Sequence, residues 1–78
     1  MSKIIKNSNE SYKLYISKGI KHANDGNLNT AEKFFLDAIS INKESHQAYI
    51  NLSNIYILQN RNDRFVKLIF NYLSKYEF

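Results

Sequence analysis

Thirty-four positions after Tyr15 the chain has Tyr49, and the same step carries Ile16 to Ile50, Gly19 to Ser53, Gly26 to Asn60, Phe35 to Ile69 and Ile39 to Leu73. Core-type and turn-type positions agree together, so one supersecondary unit is written twice. Within each unit the apolar residues recur at three- and four-residue steps, and strand alternation is nowhere sustained. With no Pro and only two Gly in 78 residues, the expected fold is all-α, four helices in two matched pairs.

The boundaries follow from caps and breakers. Tyr12, Tyr15, Ile16, Gly19, Ile20 and Ala23 make the stripe of a first helix, which ends near Asn24 because Gly26 suits the left-handed position beyond a helix end. Asn27 or Asn29 is expected to cap a second helix carrying Leu28, Ala31, Phe35, Ala38 and Ile39 on one face. Ser45 is the expected cap of a third, striped by Ala48, Tyr49, Leu52 and Tyr56. Asn60 then suits a left-handed turn, and Asn62 or Asp63 caps the fourth. Residues 1–10, polar and aperiodic, are expected to form a loosely attached tail ahead of one domain over 11–78, with repeats at about 12–45 and 46–78.

A chain this short builds a core worth only about 3–5 kcal/mol unless something supports it. It has no Cys for disulfides or a thiolate zinc site and only two His, which leaves self-association or partner binding as the expected support. The absence of Cys fits a reducing compartment. "MSKIIKNSNE" lacks the apolar core of a secretory signal, and no stretch approaches the roughly 18 apolar residues of a membrane span, so the cytoplasm is expected and no membrane partner.

The stretch "AYINLSNIY", residues 48 to 56, resembles the first helix of a tetratricopeptide repeat. Tyr49 stands for the leading aromatic, Asn51-Leu52-Ser53 for the Asn-Leu-Gly element and Tyr56 for the next aromatic. "GNLNTAEKFFLDAISI" is similar to the turn and second helix of that family, with Gly26 at the turn and Ala31 at the close helix contact. The likeness spans roughly residues 12 to 77 and implies two antiparallel helix-turn-helix repeats stacked as a short right-handed α-solenoid. Departures are Lys18 at the usual Leu position, Lys43 and Glu77 where Pro normally follows a repeat, and bulky Phe65 and Tyr72 where the second repeat is expected to have small Ala.

Catalysis needs a nucleophile, a base and an orienting group within reach, or a metal site. His22 with Asp25, and His46 with Glu44, make no known ligand or catalytic spacing, so no catalytic or metal residue and no cofactor is expected. The resemblance instead implies a non-enzymatic module that binds a protein or peptide on the first helix of each repeat. Carried over position by position, its groove is Lys13, Ile16, Ile20, Ala23 and Asn24, with Gln47, Ile50, Asn54, Ile57 and Leu58. Ile16 and Ile20 stand where the family's carboxylate clamp has Lys and Asn, and only Asn51 of that clamp survives, so an apolar or amphipathic segment is the expected ligand. The alternative, RNA or DNA drawn to Lys18 and Lys21 on a chain of net charge +4, is not favoured because Tyr15, Tyr49 and Tyr56 belong to the core pattern.

"RFVKLIFNYLSKYEF", the last helix, is apolar over roughly 200° of its circumference, against roughly 160° for the second. Phe65, Ile69, Tyr72 and Tyr76 form its core stripe. Val66, Phe70 and Leu73 are a surplus edge, whose exposure would forfeit about 1.5–3 kcal/mol per side chain. A homo-oligomer, a two-fold dimer above all, is therefore expected. The competing reading has Tyr72 and Phe65 turning inward to fill the end of the molecule without a partner.

Overall fold

In a computed structural model, which describes residues 8–74, the chain forms four α-helices and, among the described residues, no strand. They are α1 (Ser8–Asn24), α2 (Leu28–Ile41), α3 (His46–Leu58) and α4 (Asn62–Ser74). Residues 8–10, assigned to the tail by their polarity, are already helical: with no breaker before Ser11, the periodic segment extends backwards by a turn. The rest of that tail and Tyr76 lie outside the described residues.

The two turns repeat in backbone detail. Gly26, at φ 86°, ends α1, its N–H donating to the Ala23 carbonyl at 3.0 Å while Asn27 donates to His22 at 2.8 Å. Thirty-four residues later Asn60, at φ 62°, donates to Ile57 at 3.0 Å and Arg61 to Tyr56 at 2.8 Å. Both helices thus end in the same left-handed motif, which returns orphan carbonyls to hydrogen bonds. Asn supports the left-handed conformation at the second turn where Gly does at the first.

Ser45 caps α3 as expected, its Oγ accepting from the Ala48 N–H at 3.1 Å. The same hydroxyl meets that of Tyr12, so the start of α3 is fastened to α1. Asn27 occupies the cap position of α2 but makes no side-chain cap bond, and Asn29 instead accepts from the Gln59 amide at 2.9 Å.

Packing follows chain order, α1 on α2, α2 on α3 and α3 on α4, and α1 also lies against α3. Close approach of α1 and α2 depends on Gly19: a Cβ there would stand 2.5 Å from Cε1 of Phe35, a side chain 1% exposed. The buried core joins Ile16, Ala31, Phe35 and Ala38 of the first hairpin to Ala48, Tyr49, Leu52, Ile55 and Tyr56 of α3 and Leu68 of α4. The smallest dimension of the Cα envelope is 13 Å, room for no more than two helices packed at about 8–10 Å. Much of each helix therefore faces solvent.

Candidate functional site

Among the described residues, two groups of exposed apolar side chains bear on the expected sites. The first runs along α1 and α3, where the groove was expected. Ile50, Ile57 and Leu58 are open to solvent, Ile20 is at the margin of exposure, Ala23 is half-buried, and Lys13, Asn24, Gln47 and Asn54 supply exposed polar neighbours. Ile16 departs from its expected place: it is 4% exposed and belongs to the core, whereas its counterpart Ile50 is 61% exposed. The reason is positional, since α1 has α3 beside it and, among the described residues, no helix takes the equivalent place beside α3. Asn51 donates to the Gln47 carbonyl at 2.9 Å within its own helix, a structural hydrogen bond.

The second surface is the edge of α4. Val66, Phe70 and Leu73 are all exposed, Phe70 to 73%. Phe65 and Tyr72 do turn inward against the core, Tyr72 packing on Tyr49 with ring centroids 4.6 Å apart. The inward turn of these aromatics leaves the edge at Val66, Phe70 and Leu73 uncovered. Leu68, absent from the expected stripe, is the buried residue of α4.

Polar groups bind the hairpins together. Glu32 of α2 accepts from the Tyr56 hydroxyl of α3 at 2.9 Å and from Arg64 of α4 at 3.1 Å, with Arg61 at 3.9 Å. Its side chain is only 13% exposed, so this carboxylate is well shielded from water. Burial, and then the Glu32 carboxylate, push the Tyr56 hydroxyl up to about 12. Sequence periodicity held no signal for this cluster, whose members come from three helices and a turn.

The remaining candidates are ring-packed or exposed. His22 stacks on Phe34 at 5.4 Å, and His46 meets Tyr72 edge-on at 5.5 Å. Among the described residues no three His, Cys, Asp or Glu come together to hold a metal ion. Lys18 lies over the Phe34 ring at 5.8 Å and Lys21 pairs with Asp25 at 3.3 Å, both on the surface. A polar cleft of about 330 Å³ is lined by Asn60, Arg61, Asn62, Asp63 and Arg64, none of them a residue of either apolar surface. No described helix is long and apolar enough to cross a membrane. Comparison with protein-family models, with characterised proteins and with solved structures finds no match.

Proposed function

We propose that this chain is a non-enzymatic protein-interaction module of the tetratricopeptide type, two antiparallel hairpins stacked as a short right-handed α-solenoid. It acts in the cytoplasm as a small adaptor or regulator, binds an apolar or amphipathic protein segment along α1 and α3, and self-associates through α4. The observation that carries the reading is the exposure of Ile50, Ile57 and Leu58, at 56% or more, on a helix whose other face is core. Covering such side chains is worth about 1.5–3 kcal/mol each, and the polar residues flanking them can orient the ligand. The repeated turn geometry supports the family resemblance, because it recurs at the family's period.

The test is fluorescence anisotropy with labelled amphipathic helical peptides of Leu and Lys. Ile50→Glu with Ile57→Glu is expected to weaken binding at least tenfold while helicity by circular dichroism is kept. Binding indifferent to that change refutes the groove. A salt-dependent shift of a labelled RNA oligonucleotide that is lost on Lys18→Glu with Lys21→Glu would install nucleic acid in its place.

A further inference from the structure

Residues equivalent by the thirty-four-position step have opposite environments at the two ends of the molecule. On α3, Ala48, Leu52 and Ile55 are buried to 2% or less; their counterparts on α1, Leu14, Lys18 and Lys21, are all exposed. These three recur at four- and three-residue steps, so they form one flank of α1. This flank of α1 thus carries two ammonium groups where the interior has Leu and Ile.

The face presented by α4 differs in the opposite sense. Glu32, which gathers Tyr56, Arg61 and Arg64 from the second hairpin, has Val66 as its counterpart; Ile16 has Ile50 and half-buried Ile39 has Leu73. The internal junction adds a carboxylate clamp to its apolar contacts, whereas the face of α4 has Val66 in place of that carboxylate and is apolar and open.

Resting on the self-association proposed above, we infer that two copies join tail to tail, α4 against α4 with Ile50 at the margin, in a closed two-fold pair whose α1 flanks stay free. An edge of Val66, Phe70 and Leu73 carries no charge and is complementary to itself, as a two-fold contact requires. Docking it on the α1 flank of a neighbour would strip water from the exposed ammonium groups of Lys18 and Lys21 and set them against an edge with no carboxylate, so head-to-tail growth is disfavoured. With exposures of 57–73%, these three residues and Ile50 present roughly 500 Å² per copy, hence roughly 1,000 Å² in the pair, at the floor for a specific interface. The pair is accordingly expected to dissociate on dilution.

Sedimentation velocity of the full chain over a micromolar dilution series tests this, with circular dichroism as the check of folding. The wild type is expected to reach two copies and no more, Leu14→Glu to behave as the wild type, and Phe70→Glu to be monomeric at unchanged helicity. If Phe70→Glu loses helicity, Val66→Lys on the same edge decides. Species beyond two copies, or dissociation caused by Leu14→Glu, would overturn the tail-to-tail geometry and leave self-association standing. A wild type that stays monomeric throughout, including one whose α4 edge takes up the amphipathic peptide instead, would overturn both.

Discussion

Gly19→Ala separates two effects that usually coincide in a helix. At an exposed helical site the change is favourable by about 0.8–1 kcal/mol, because Ala loses less backbone freedom than Gly. At Gly19 the new Cβ would lie 2.5, 2.7 and 2.8 Å from three atoms of the Phe35 ring, which is rigid and 1% exposed. Reaching an ordinary contact of about 3.5 Å requires the ring, or all of α2, to retreat by about 1 Å. Overpacking of that kind costs about 1–3 kcal/mol, so the net expectation is a loss near 1 kcal/mol, a fall in Tm of about 4–8 °C. Gly19→Val, with less propensity to gain and more bulk, falls further. Thermal melts at one fixed protein concentration measure both, since the proposed self-association would make Tm depend on concentration.

The second hairpin supplies the compensating change. There Ser53 carries a Cβ and is still buried, facing the helix in which Ile69 replaces the ring of Phe35. Phe35→Ile is therefore expected to cost less in the Gly19→Ala background than alone, with a coupling of about 0.5 kcal/mol or more in a double-mutant cycle. A Gly19→Ala protein that melts higher than the wild type, or zero coupling with Phe35, would refute the close approach of α1 and α2.

Ser45→Ala removes the α3 cap and the hydroxyl partner of Tyr12, and is expected to cost about 0.5–2 kcal/mol in urea denaturation. A midpoint unchanged by the substitution would contradict that double role. Tyr56 gives a pH dependence whose sign is set: its hydroxyl is raised to about 12 when folded, against about 10 for a free tyrosine. Between those values the unfolded chain has released a proton that the folded one retains, so the contribution is complete below about pH 10 and declines towards 12. In alkaline denaturation series the wild type should lose stability across that window more steeply than Tyr56→Phe, and parallel curves would count against the burial of this hydroxyl.

Local chemistry was the legible part of this chain. Gly26, Asn60 and Ser45 hold their expected places because a left-handed turn or a helix cap is decided by residues within a few positions of it. Wheel arithmetic also separated the inward aromatics of α4 from the edge at Val66, Phe70 and Leu73. It failed where burial is decided by which helix happens to lie alongside. Ile16 and Ile50 are the same residue at equivalent positions, yet one is core and one is surface, and Leu68 is buried at a position the wheel of a broadly apolar helix left undistinguished. Glu32 was illegible for a further reason: nothing near it in sequence announces that Tyr56, Arg61 and Arg64 converge on its carboxylate.

Gly26 and Asn60 make the two turns interchangeable, but the faces flanking them are not, and that gives the halves an obligatory order. A circular permutant with the second hairpin placed ahead of the first would keep both turns and every contact inside each hairpin. It would also bring Lys18 and Lys21 to the junction and send Leu52 and Ile55 out to water. Such a permutant should therefore melt well below the parent, and the chain, for all its duplication, can be read in only one direction.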